Sequence, residues 1–386
     1  MKKFLLIVMA FCIFVSSAKA EEDFAPGAKS AILMDFATGK VLYEKNADEA
    51  LAPASMTKIA SMLIIMEAID NGSLSLDDDV TISEDAASMG GSQVFLEAGE
   101  VYKVHDLLKG VAIASGNDAV YALAEKVAGS HAAFVEMMNN RAKELGTTNT
   151  NFVNAHGLDA EGHYSTARDM AILARELLKH EKILEYTSIY EEYLEKNDGT
   201  KTWLVNTNKL VRFYDGVDGL KTGYTTTAGY CLTATASKDN FRLISVVMGE
   251  ETSESRSSDT VKLLNYGFNT YKINTIKTTD EILGKVRVEG GKSDYANIVL
   301  LENATELLKT TDKVEDYKFN LKVDKIKAPV NPGDIVGSAE IIDSEGNIID
   351  EVDVTVDTKI KKANLLDYLL RNIKVVASGK SILKQN

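Results

Sequence analysis

The spacing of apolar residues changes twice along this chain, and that change limits the folds open to it. From Pro53 to about Leu184 the spacing is helical, whereas Ser30–Asp35, Lys40–Glu44 and later Gly219–Gly249 read as strands rich in Thr, Val, Ile and Tyr. Ile59–Ile69 is apolar nearly all round, which predicts a helix enclosed by its domain rather than lying on the surface. Val104–Val127, Phe134–Leu145 and Ala167–Leu178 show the same period, the last with Arg168, Asp169, Arg175 and Glu176 as its polar positions. Ala37-Thr38-Gly39 joins the first two strands as a turn, and Lys238-Asp239-Asn240 breaks the later run as a hairpin would. A helix over about Ser257–Tyr271 follows. Strands, a helical block, then strands and a helix make an α+β domain.

Beyond it, Lys285–Glu289, Ala296–Leu301, Tyr317–Val323, Ile335–Ile342 and Ile348–Val356 read as short strands. Breaks at Gly290-Gly291, at 331–334 (NPGD) and at 344–347 (SEGN) separate several of them, which predicts a small β-sandwich. The 386 residues, 45% of them hydrophobic and 26% charged, suffice for two such cores and exclude wholesale disorder. The expected division is a signal peptide over 1–20, the α+β domain over 21–275, the β-sandwich over 276–357 and an amphipathic segment over 358–386.

Both ends depart from the average. Lys2 and Lys3 precede an apolar run from Phe4 to Val15 that closes on Ala18-Lys19-Ala20, the pattern of an exported protein's cleaved leader. The alternative, a retained anchor, is opposed by Glu21, Glu22 and Asp23 directly after the site. Removing its three lysines from 43 basic residues takes the formal charge from −14 to −17. That balance repels a phosphate backbone and speaks against a nucleic-acid partner. Cys12 leaves with the leader, so Cys231 remains alone and no internal disulfide can form. Its place in the strand-like run Gly229–Ala236 favours a buried side chain over a nucleophile.

From Lys359 to Asn386, Lys359, Lys361, Lys362, Arg371, Lys374, Lys380 and Lys384 face only Asp367. Leu365, Leu366, Leu369, Leu370, Ile373 and Val376 share one helical stripe, while Asp367, Arg371, Lys374 and Ser378 share the other. A basic amphipathic helix of this kind is drawn to an anionic membrane surface; the alternative is docking on the protein's own domain.

Three short elements carry the chemistry: Ser55-Met56-Thr57-Lys58, Ser115-Gly116-Asn117 and Lys221-Thr222-Gly223. The first pattern alone means little, since it recurs at Ser16–Lys19 and Ser381–Lys384. Order and context discriminate. Pro53-Ala54 before an apolar helical run puts Ser55 near a helix N-terminus, where unpaired N–H groups favour developing negative charge. Lys58, three residues on, shares its face and can take the hydroxyl proton if burial and a second lysine, Lys221, hold it neutral. Ser115 can pass a proton to a leaving group and the Asn117 amide can hold a substrate carbonyl. Gly223 lets a substrate backbone lie close to the strand, and the N–H groups of Tyr224 and Ser55 can form an oxyanion hole.

This constellation resembles the penicillin-recognising serine acyltransferases, and within them the low-molecular-mass penicillin-binding proteins that are serine-type D-alanyl-D-alanine carboxypeptidases. The resemblance covers essentially the whole chain, including PASMTK at 53–58, GVAIASGND at 110–118, HGLD at 156–159, STARDM at 165–170 and DGLKTG at 218–223. It implies a transpeptidase/β-lactamase-like domain followed by a β-domain and a membrane-associated amphipathic helix. Ser55 would be the acyl-enzyme nucleophile, Lys58 the general base, and Ser115 with Asn117 the proton relay and substrate holder. Lys221 and Thr222 would bind the substrate's terminal carboxylate with help from Arg256, whose alternative is a solvated place at a helix start. The implied substrate is the D-Ala-D-Ala end of a peptidoglycan stem peptide, penicillins would acylate the same serine, and no cofactor or metal is needed. The implied location is the outer face of the cytoplasmic membrane.

One departure is Tyr224, where several relatives have His. His156 and His163 read as structural loop residues, since no H-E-x-x-H occurs and Lys58 already supplies a base. A class A β-lactamase is disfavoured by Gly116, by the missing E-x-x-L-N element and by the extra β-domain. A non-catalytic wall-binding scaffold has no need of a serine beside a neutral lysine, while endopeptidase action on cross-links stays open.

Overall fold

The computed structural model describes residues 22–377; the expected leader over 1–20 and the last nine residues of the tail lie outside them. The chain divides into two compact units. The first runs to Leu33 and then over Leu42–Ala236 and Ile244–Tyr266; the second gathers Met34–Val41, Ser237–Leu243 and the chain from Gly267.

Along the chain, β1 (Ser30–Asp35) and β2 (Val41–Lys45) lead to helix α1 (Lys58–Asp70). A small hairpin of β3 (Asp79–Thr81) and β4 (Val101–Lys103) precedes α2 (Val104–Ala112), α3 (Asn117–Ala128), α4 (His131–Glu144) and α5 (Ala167–Lys179). A second hairpin, β5 (Glu191–Glu195) and β6 (Lys201–Val205), precedes the long strands β7 (Val217–Thr225), β8 (Gly229–Lys238) and β9 (Phe241–Glu250), then α6 (Ser253–Thr270). The five-stranded sheet has the order β2-β1-β9-β8-β7, so β7 is a marginal strand with one neighbour, β8, antiparallel to it.

The lack of a polar face on α1 has the expected result: every residue from Lys58 to Met66 is buried. The helical stretch over 104–127 is two helices, because Ser115 adopts φ +64° between them. Side-chain caps fix two later starts: Ser130 Oγ accepts from Ala133 N at the head of α4, and Thr166 Oγ1 accepts from Asp169 N at the head of α5. The expected hairpin at Lys238–Asn240 is present, with Asp239 and Asn240 both at positive φ, as a tight turn between twisted strands requires. A second turn, over 226–228, divides the same run without Pro or Asn-Gly to announce it. Helix α6 begins four residues before the expected Ser257.

The second unit holds β10 (Tyr271–Lys277), β11 (Gly284–Glu289), β12 (Tyr295–Leu300), β13 (Ala304–Lys309), β14 (Lys318–Val323), β15 (Ile326–Lys327), β16 (Gly337–Ile342), β17 (Ile348–Val356) and helix α7 (Leu365–Ala377). Six strands form one sheet in the order β14-β16-β17-β12-β11-β15, and β10 pairs with β13 in another. Val288, Ile298, Leu300, Ile326, Ile341, Val354 and Val356 form the centre of its core. The five expected strands are present; β10, β13 and the two-residue β15 are additions, and the two sheets are unequal. Along α7, Leu365, Leu366, Leu369, Leu370 and Ile373 are exposed, with Leu365 at 87%. No helix among the described residues is long and apolar enough to cross a membrane.

Candidate active site

Ser55 sits on a single 3-10 turn, Ala54–Thr57, that runs directly into α1. It is the one residue from Pro53 to Met66 that is not buried. The preceding Ala54 holds φ +48°, a strained conformation for a residue with a side chain. Neighbouring groups fix it there. The Thr57 hydroxyl donates to the Ala54 carbonyl at 2.8 Å, and two glycines flank the turn. A Cβ on Gly157 would lie 1.9 Å from Ala54 O, and one on Gly223 would lie 2.8 Å from Pro53 O. Gly223 therefore makes room for the turn that carries Ser55, a different reason for glycine from the approach of a substrate backbone expected from sequence.

Lys58 is completely buried, with its Nζ 2.6 Å from Asn117 Oδ1, 2.8 Å from the His156 carbonyl and 3.1 Å from Ser55 Oγ. Burial first, and then the positive charge of Lys221, push its pKa well below the ordinary lysine value, against a smaller pull from Asp118. In the neutral form that this shift favours, an amine has two N–H bonds and one lone pair; with Asn117 Oδ1 and the His156 carbonyl accepting the hydrogens, the lone pair faces the Ser55 hydroxyl.

Asn117 opens α3, and its amide is engaged at both ends: Oδ1 accepts from Lys58, and Nδ2 donates to Gly90 O at 2.7 Å. Its geometry serves to orient Lys58. The next residue, Asp118, accepts from the backbone N–H groups of Val94, Leu96 and Ala119, so α3 and the 90–96 loop are bound together behind the lysine. The Ser115 hydroxyl is buried with no hydrogen-bond partner.

On β7, Lys221 is buried beside Arg256, and its ammonium donates to the Thr222 carbonyl at 3.1 Å. Desolvation and then the Arg256 charge bring its pKa down to about 7. Arg256 belongs to α6 and is itself buried, with Nε unpartnered, so the solvated alternative does not hold. Burial also lowers its pKa. Two buried cations thus lie side by side, one of them with an unpartnered donor, Arg256 Nε. The Thr222 hydroxyl donates to Thr207 Oγ1 at 2.6 Å, while Tyr224 is exposed with its ring 4.3 Å from that of Tyr230.

Sequence reasoning missed the support of this turn. Val153 N–H donates to His163 Nδ1 at 2.9 Å, which leaves Nε2 to donate to Thr57 Oγ1 at 2.8 Å, and Thr57 in turn donates to Ala54 O. The chain of donors fixes a neutral tautomer, and burial lowers the His163 pKa to about 4. His156 is held neutral in the same way, at about 3, and contributes its carbonyl rather than its ring to Lys58. Both rings are buried and hydrogen-bonded, with His156 Nδ1 accepting from Leu158 N–H at 3.2 Å. Cys231 is buried, and desolvation pushes its thiol up to about 11. Among the described residues no group of three or more His, Cys, Asp or Glu side chains is placed to hold a metal.

A serine on a strained turn, a fully buried lysine one helical turn along and a cationic marginal strand define a penicillin-recognising serine enzyme. Comparison with known proteins narrows the class. The D-alanyl-D-alanine carboxypeptidase family profile matches residues 16–252, and the penicillin-binding protein 5 C-terminal domain profile matches 271–362. The chain is 47% identical over 376 residues to D-alanyl-D-alanine carboxypeptidase DacF of Bacillus subtilis, covering 96% of each. It is 41% identical to DacC of Escherichia coli, covering 81% of this chain and 79% of that one. Penicillin binding protein 5 from Haemophilus influenzae superposes with a TM-score of 0.68 at 31% identity, covering 87% of this chain and 98% of its own. The chain belongs to the D-alanyl-D-alanine carboxypeptidase family.

Proposed function

We propose that this chain is a serine-type D-alanyl-D-alanine carboxypeptidase that removes the terminal D-Ala from peptidoglycan stem peptides. The observation that carries the reading is Lys58 Nζ, completely buried, with both N–H bonds accepted elsewhere and Ser55 Oγ at 3.1 Å. In this mechanism Ser55 Oγ attacks the carbonyl of the penultimate D-Ala and its proton passes to Lys58. Ser115 Oγ returns a proton to the departing amine, D-alanine leaves, and water then releases the shortened peptide from Ser55. The N–H groups of Ser55 and Tyr224 receive the oxyanion. Lys221, Thr222 and Arg256 receive the terminal carboxylate, and arrival of that anion restores the charge that burial has cost Lys221. Asn117 keeps Lys58 in line. A penicillin presents a carboxylate and a strained amide to the same groups and acylates Ser55.

The work site is outside the cytoplasmic membrane, where wall peptides are found. Residues 1–20 direct export and are removed, and α7 lies on the anionic membrane surface through its exposed leucines, with residues 358–386 forming the attachment. Mass spectrometry of the full mature chain after mixing with penicillin and, separately, with a pentapeptide ending in D-Ala-D-Ala tests the reading. A penicilloyl adduct on the Ser55 peptide and stoichiometric D-alanine are expected, with both lost in Ser55→Ala. An adduct elsewhere, or no D-alanine, overturns it.

A further inference from the structure

The β5–β6 hairpin has an outward face that neither its fold nor the catalytic groups require. Its strands alternate: Leu194 and Leu204 point inward and are buried, while Tyr193 and Trp203 point outward at 57% and 58% exposure. The register sets these two aromatics directly opposite each other, with Glu191 opposite Val205 on one side and Glu195 opposite Lys201 on the other. Neither ring stacks on the other or on another ring among the described residues. Trp203 is also the chain's one tryptophan. An exposed aromatic pair with polar neighbours marks an interaction surface.

This face is mechanically joined to the active site. At its tip the Lys196 ammonium donates to the carbonyl of Phe95, in the loop whose Gly90 carbonyl holds Asn117. At its base β6 continues into Asn206, whose amide donates to the Thr187 and Ile189 carbonyls, and then into Thr207, which accepts from Thr222. Trp203 is four residues from Thr207, hence at most about 14 Å from it along extended chain. A stem peptide of four extended residues spans a similar ~13 Å.

We propose that the outward face of β5–β6 is a platform for a glycan of N-acetylated amino sugars, the polymer from which the stem peptide hangs. The inference rests on the wall-peptide reading above. The chemistry suits such an occupant: ring faces stack against the C–H faces of pyranoses and acetamido methyls, and Glu195, Lys201 and Glu191 meet hydroxyls and amides at the margins. The outward carboxylates oppose a polyanion or an anionic lipid surface. Self-stabilisation of the hairpin by a Tyr–Trp pair would place the two rings in contact, and they are not stacked.

The test uses the full mature protein, in which Trp203 emission reports this one place. A β-1,4-linked N-acetylglucosamine tetramer should shift or quench that emission, and anionic vesicles should not. An unchanged spectrum with the tetramer, or a shift with vesicles alone, overturns the proposal. In kinetics, Trp203→Ala should raise KM about tenfold for a pentapeptide carried on a glycan oligomer. Trp203→Phe should restore most of it, and kcat and KM for the free pentapeptide should stay at wild-type values. Equal losses on both substrates would reveal a merely structural role and overturn the platform. If the wild type releases no D-alanine from free pentapeptide, the carboxypeptidase reading falls, while the tetramer titration still decides the platform.

Discussion

Replacing Lys221 with Met should inactivate the protein and make it more stable. The wild-type ammonium is buried beside a second buried cation, Arg256, and its pKa drops from 10.5 to about 7. At pH 7 the fold therefore bears a penalty on the order of 4 kcal/mol relative to an unperturbed lysine. Met has similar reach and no charge, and imperfect packing returns about 1 kcal/mol, for a net gain of ~3 kcal/mol. In a unit of this size that is roughly 10 °C in Tm. Because the folded pKa lies below the unfolded one, the unfolded chain holds the extra proton. The penalty is fully present below about pH 7 and vanishes as pH climbs toward 10.5. Urea unfolding of both proteins between pH 6.5 and 9.5 should show the variant ahead at the acid end, with the gap closing by up to ~1.4 kcal/mol per pH unit. Fluorescent penicillin labelling should be lost in the variant throughout. A variant less stable than wild type at pH 7, or a gap that does not narrow, would refute the reasoning.

The same cation predicts that kcat/KM falls as pH rises through about 7, because Lys221 loses the charge that meets the carboxylate. An acyl-D-Ala-D-Ala amide, lacking that carboxylate, should show no such limb, and only the acid limb, where Lys58 gains its proton, should remain. Gly157→Ala should unfold or inactivate the first unit, since φ is +89° and the new Cβ meets Ala54 O at 1.9 Å; a penicillin-reactive variant of normal Tm would count against the tight turn. Thr57→Val cuts the chain from His163 to Ala54 and should lower stability by about 1–3 kcal/mol and slow acylation; unchanged acylation would show that Ala54 needs no such support.

Most of the chain up to Thr270 was legible because its signals are local. An apolar run without a polar side can only be an enclosed helix, which α1 is, and Lys238–Asn240 can only be a turn. The candidate site residues stood out in the sequence for a related reason, since each motif packs them into three or four consecutive positions. What escaped is non-local or inverted. The link from His163 to Thr57 joins residues 106 apart, and no short pattern announces it. Gly157 is glycine on account of Ala54, and Asp118 is buried to bind a loop 22 to 24 residues earlier. The β5–β6 hairpin was invisible because its largest apolar side chains face outward, which erases the alternation that identifies a strand. In the second unit, β10 and β13 are only half-buried along most of their length, so their polar and apolar residues scarcely alternate.

The marginal position of β7 has one more consequence. A strand at the rim of a sheet usually invites another chain to add to it, with aggregation as the hazard. Here Gly219 through Gly223 are buried, Asp218 and Thr225 are half-buried, and Tyr224 alone is exposed. Little of the unpaired edge is therefore open to a second copy of the chain, and burial alone guards this strand against edge-to-edge association.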